Sequence, residues 1–112
     1  SEVMNVIGEV KGKNCIIVDD MVDTAGSITQ AAQALKESGA RDIYCVSTHA
    51  VLSGIATERL QGAGFKEIIF TNTIRIPEEK KLKNMQVLSI AYLFGEAIRR
   101  IHEGESVSSL FL

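Results

Sequence analysis

The chain has no tryptophan, one proline and two cysteines, and only 5% of its residues are aromatic. Cys15 and Cys45 each sit inside an apolar, strand-like run and lack the close paired spacing of a zinc or redox motif. Both therefore read as reduced core thiols. No apolar run approaches the roughly 20 residues that a membrane-spanning helix needs, and no charged-then-apolar leader opens the chain. A soluble, cytoplasmic protein with no membrane partner is the expectation. Charge of one sign is scarce too: 12 Lys and Arg against 14 Asp and Glu leave a formal net charge of -2. The one basic cluster, Lys80, Lys81 and Lys83, follows Glu78 and Glu79 and reads as a solvated mixed-charge face. Without interleaved aromatics it gives no reason to expect a nucleic-acid partner. A P-loop is excluded as well, because Gly8, Gly12 and Lys13 do not make its glycine-lysine pattern and precede their strand instead of following it.

What the sequence does hold is apolar content, 46% of 112 residues, enough for one core and too little for two. A single domain over 1–112 is expected. Its elements alternate. A short strand over residues 3–8 and a turn at Lys11, Gly12 and Lys13 lead into a strand over 14–18, which would make a hairpin. Ile28, Ala31, Ala32 and Leu35 then recur at helical spacing, and Gly39 stops that helix. A strand over 43–48 follows, and then a helix over 53–61 with Ser53 as its cap and Gly62 and Gly64 at its end. Strands over 67–71 and 87–90 flank the irregular stretch that contains Pro77. A last helix over 91–102 turns Leu93, Phe94, Ala97, Ile98 and Ile101 inward. Strands alternating with helices give an α/β fold, a parallel sheet flanked by helices, here with an N-terminal hairpin strand.

The chemistry concentrates in one stretch. Ile16, Ile17 and Val18 run into Asp19 and Asp20, then into a loop of small and hydroxylic residues, Asp23, Thr24, Ala25, Gly26 and Ser27, and then into a helix. In an open α/β sheet, ligands bind beyond the carboxyl ends of the strands. The amides of Thr24 to Ser27 can cradle a phosphate there. Carboxylates facing that phosphate would repel it, so Asp19 and Asp20 are assigned to vicinal hydroxyls or to Mg²⁺. A phosphate at one end and a diol at the other describe a ribose phosphate. His49 ends its strand at the same sheet edge, where a histidine more often anchors a loop than catalyses.

The loop resembles the phosphoribosyl-binding loop of the type I phosphoribosyltransferase fold, and the chain most resembles the ribose-phosphate diphosphokinases, or PRPP synthetases. The likeness continues through Ser47-Thr48-His49, Leu52-Ser53-Gly54, Ile76-Pro77-Glu78-Glu79, Glu96-Ala97-Ile98-Arg99-Arg100-Ile101-His102 and the serine-rich tail. It implies transfer of pyrophosphate from Mg-ATP to the anomeric hydroxyl of ribose 5-phosphate. It also implies ribose hydroxyls held at Asp19 and Asp20, directly or through Mg²⁺, and a 5-phosphate wrapped by Asp23, Thr24, Ala25, Gly26 and Ser27. Ser106, Ser108, Ser109 and Phe111 would belong to a regulatory site for phosphate and ADP between subunits of a homo-oligomer.

The chain lacks a glycine-rich nucleotide motif, an adenine pocket, and any Arg or Lys near the loop in sequence. The resemblance assigns those parts to an N-terminal domain and to basic segments upstream. Residues 1–112 are therefore expected to be the C-terminal, acceptor-binding half of a two-domain enzyme, with no catalytic residue of its own and no turnover alone. ATP would enter only through the other domain. Rival readings are a non-catalytic regulatory relative, which should lose acidic or hydroxyl residues from the loop, and a base-using phosphoribosyltransferase, which should carry a hood for the nucleobase. A phosphoacceptor receiver domain would need an acceptor Asp on a later strand, and none is present.

Overall fold

The computed structural model describes residues 5–111. Four strands, β1 (Cys15–Val22), β2 (Ile43–Ala50), β3 (Glu67–Thr71) and β4 (Met85–Leu88), form one sheet in sequential order, and every neighbouring pair is parallel. Helices α1 (Gly26–Glu37) and α2 (Ala56–Gly62) make the first two crossovers. Crossovers between parallel strands are nearly always right-handed, so a sheet built in sequence order receives its helices on one face. Ile28 and Ala32 of α1 and Ala56 and Leu60 of α2 are buried. They lie in the same core cluster as Ile43 and Cys45 of β2 and Ile68 and Phe70 of β3. Burying a side chain such as Leu60 or Phe70 is worth about 1.5–3 kcal/mol. On the covered face, Ser47 is buried and its hydroxyl has no hydrogen-bond partner.

The other face of the sheet is open. Ile16 is 64% and Val18 74% exposed. Helix α3 (Ala91–His102) forms with the expected bounds but buries none of its residues. Phe94, Ile98 and Ile101 are exposed, so the expectation that they turn inward is corrected. Their spacing makes an apolar stripe, but no strand or helix of the described residues packs on it.

The expected N-terminal hairpin falls partly outside the described residues. Residues 3 and 4 lie outside the described part, and residues 5–8 form no strand. Gly8 at φ 98° breaks the extended run, and Ile7, 98% exposed, has no packing to hold it against β1. The turn at Lys11 and Gly12 does form, with the Lys13 amide bonded to the Val10 carbonyl at 2.9 Å. It is tied instead to the α1–β2 connection: the Gly12 amide donates to the Gly39 carbonyl at 2.8 Å, and the Arg41 amide to the Lys13 carbonyl at 2.7 Å. β1 is thereby the first strand of the sheet. Helix α2 begins three residues later than its sequence suggests, without a cap from the Ser53 side chain. Leu52 and Gly54 take φ 55° and 58°, so the backbone is not helical there.

Candidate functional site

β1 does not stop at its carboxylates but carries them, ending at Val22. Asp19 stands in register with Ser47. Side chains alternate along a strand, so Asp19 belongs to the helix-covered face and Asp20 to the open one. Each carboxylate ties one oxygen to the next amide: Asp19 Oδ1 accepts from Asp20 N–H at 2.8 Å, and Asp20 Oδ1 from Met21 N–H at 2.7 Å. The second oxygen of each has no partner among the described residues. The field of Asp19 reaches the core, where burial first and that carboxylate second push the Cys45 thiol up to about 12.

Beyond Val22 the chain turns through Asp23, Thr24 and Ala25 into α1. Buried Val22 and Ala25 fasten the turn, while Asp23, Thr24 and Ser27 are exposed. Ala25 caps α1 in the left-handed region, at φ 65° and ψ 15°, with no side-chain hydrogen bond. No acidic residue occupies the first turn. The positive end of the helix dipole is thus not neutralised from within the helix. The amides of Thr24 to Ile28 donate to no acceptor among the described residues. Asp19, Asp20, Asp23, Thr24, Ala25, Gly26 and Ser27, the residues expected at the site, line one depression of about 210 Å³ together with Met21, Val22 and Ile28. Such an arrangement can hold an anion on amides at one end and hydroxyls or a cation on carboxylates at the other.

The sequence shows no cation near this loop, but the fold brings one. Arg59 of α2 donates from Nη1 to the Thr24 carbonyl at 3.0 Å. Its signal is weak in sequence, an exposed arginine on a short amphipathic helix. Lys80 also departs from the expected solvated face and donates to the Leu52 carbonyl at 2.9 Å, whereas Lys81 pairs with Glu78 at 2.8 Å. Imidazole Nδ1 of His49 lies 2.7 Å from the Thr73 hydroxyl, which also donates to the Thr48 carbonyl at 3.3 Å. His49 thus fastens the β2 and β3 ends together.

The tail forms a separate cluster after α3. Arg100 bonds the Ser109 hydroxyl and donates to the Ser106 carbonyl at 3.3 Å. The Ser106 and Ser108 hydroxyls lie 2.7 Å apart, and Phe111 is exposed at the end of a 3-10 turn, Ser108–Phe111. None of these four residues lines the depression.

A four-stranded parallel sheet flanked by helices, with unpaired amides at a helix N-terminus beyond its first strand, defines an α/β class of domain. More narrowly, the chain belongs to the phosphoribosyl synthetase-associated domain family, whose model matches residues 2–112. It is 59% identical over 111 residues to a ribose-phosphate pyrophosphokinase of Caldanaerobacter subterraneus, covering 99% of this chain and 35% of that protein. A Bacillus cereus protein of the same name is 56% identical over the same shares. The chain thus spans about a third of the length of these curated relatives. Its fold matches the crystal structure of phosphoribosylpyrophosphate synthetase from Mycobacterium smegmatis with a TM-score of 0.85 and 47% identity, over 88% of this chain and 33% of that one.

Proposed function

We propose that this chain is the ribose 5-phosphate-binding part of a ribose-phosphate pyrophosphokinase. Such an enzyme transfers pyrophosphate from Mg-ATP to the anomeric hydroxyl of ribose 5-phosphate, giving 5-phosphoribosyl 1-diphosphate and AMP. The observation that carries the reading is the run of free amides at residues 24–28, directly beyond two carboxylates on one strand. In this reading Asp23, Thr24, Ala25, Gly26 and Ser27 wrap the 5-phosphate with amides and hydroxyls. Asp19 and Asp20 accept from the ribose hydroxyls and orient the sugar, so that its anomeric oxygen faces the donor.

Among the described residues no group of three or more His, Cys, Asp or Glu converges as a metal site. Mg²⁺ commonly takes only one or two carboxylates and completes its shell with water and phosphate oxygens. The free oxygens of Asp19 and Asp20 fit that role. When bound, the ion supplies positive charge that offsets the crowding of anionic groups.

Phosphoryl-type transfer also needs positive charge and positioning on the donor side. The chain accordingly acts as one domain of a longer two-domain, cytoplasmic, homo-oligomeric enzyme, binding the acceptor without turning it over alone. ATP binding belongs to the other domain. Ser106, Ser108, Ser109 and Phe111 would serve regulation by phosphate or ADP. The intact acidic and hydroxylic loop favours this over a silent regulatory relative.

The test is the melting temperature of the chain with Mg²⁺ and ribose 5-phosphate, since a ligand that binds only the folded state must raise it. A rise that Asp20→Ala abolishes supports the assignment. No rise at saturating ligand overturns it.

A further inference from the structure

Three consecutive carbonyls at the end of β1 are held by one segment. The Val22 carbonyl accepts from the Val51 and Leu52 amides at 3.1 and 3.0 Å, and the Asp23 carbonyl accepts from the Ser53 amide at 2.9 Å. The Thr24 carbonyl accepts from Arg59 at 3.0 Å. The first two are held by main chain, the third by a side chain. In a trans peptide the C=O and the following N–H point in opposite directions. Pinning these carbonyls toward residues 51–59 therefore turns the Thr24 and Ala25 amides the other way, and both are without an acceptor among the described residues.

The third bond acts where the backbone most needs holding. Ala25 follows it at φ 65°, a left-handed conformation that costs an L residue roughly 1–2 kcal/mol. Arg59 forms no ion pair among the described residues. Its guanidinium also lies against Gly26, where Nη1 would be 3.5 Å from an added Cβ. The segment that holds the loop is itself braced, since Lys80 grips the Leu52 carbonyl at 2.9 Å.

Resting on the ribose-phosphate reading, we infer that Arg59 is a positioning residue for the phosphate end of the site: it fixes the Thr24–Ala25 peptide so that the Ala25 amide faces the anion, and adds a positive charge behind the loop. It does not serve the carboxylate end. The two ends should separate on substitution.

The experiment is a titration of the chain and of Arg59→Met and Arg59→Lys, following backbone amide resonances with inorganic phosphate, ribose 5-phosphate and Mg²⁺ alone, beside each melting temperature. In Arg59→Met the affinity for phosphate and ribose 5-phosphate should fall tenfold or more, and the shifts at Ala25 and Gly26 should collapse. Its Mg²⁺ response at Asp19 and Asp20 should be kept. Arg59→Lys, which can still reach the carbonyl, should recover most of the loss at an unchanged melting temperature. Equal phosphate affinity in all three proteins overturns the role of Arg59 alone. Phosphate and Mg²⁺ responses that fall together, in step with the melting temperature and in both variants, also overturn it, because that is what a merely structural arginine would give. A parent chain whose loop amides ignore both phosphates overturns the inference and the ribose-phosphate reading together.

Discussion

Ala25 holds the tightest constraint on the loop, being buried and left-handed at once. A β-branched residue in this conformation would bring a clash that the alanine methyl avoids. Ala25→Gly relieves strain of about 1–2 kcal/mol. It also gives up a buried methyl worth about 0.8 kcal/mol and gains unfolded-state freedom worth roughly 0.4–1 kcal/mol. The changes nearly cancel, so its urea midpoint should lie close to that of the parent. Ala25→Val combines backbone strain with overpacking and should lose about 2 kcal/mol or more. Measured at a constant m-value, a valine variant as stable as the parent would show that the loop is not held in this conformation. Residues of this kind are half legible in sequence. The run Asp23-Thr24-Ala25-Gly26-Ser27 announces a turn before a helix, because small and hydroxylic residues act locally. That Ala25, and not Gly26, takes the positive φ depends on carbonyls held by residues 51–59, which no local pattern encodes.

At the scale of the element, α3 shows both the strength and the limit of a periodic pattern. Its bounds follow from spacing and from Arg99, Arg100 and His102 in its last turn, where positive charge suits the dipole. What the apolar stripe faces is a long-range fact, and Ile98 is 68% exposed. With no core beneath it, α3 relies on its own side chains. Glu96 pairs with Arg99 at 2.6 Å and with Arg100 at 3.0 Å. The hydrogen bond from Arg99, and then that from Arg100, holds the Glu96 carboxyl down at about 2. An unfolded glutamate titrates near ~4.3. A carboxyl depressed on folding contributes stability above the unfolded value and loses it as pH falls through the folded one. Helicity at residues 96–102, read from carbon chemical shifts, should therefore fall as the pH drops from above the unfolded value toward 2. Glu96→Gln should remove most of that dependence. A pH profile unchanged by Glu96→Gln would mean that these pairs are too screened by solvent to act.

For the whole molecule, the order of the strands decides most of what is exposed. A sheet laid down in sequence takes both crossover helices on one face, and parallel sheets are almost always covered on two. The Cα radius of gyration, 16.5 Å, exceeds the ~13 Å expected for a compact chain of this length. Ile16 and Val18 stand uncovered on β1, the edge strand, whose outer side pairs with nothing among the described residues. A continuous, mostly β-branched apolar run made these residues legible as strand, but composition alone could not reveal that their face is bare. An apolar face beside an unpaired edge drives association. The chain should therefore sediment as more than a monomer at high micromolar concentration. Ile16→Lys combined with Val18→Lys should give a monomer, with little change in melting temperature because those side chains are already mostly in solvent. The phosphate response of the loop should survive, since residues 24–28 are held from the opposite direction, by α2 and the segment before it. A parent chain that stays sharply monomeric would show that the open face is too polar at its rim, with Asp20 beside Val18, to bind a second copy.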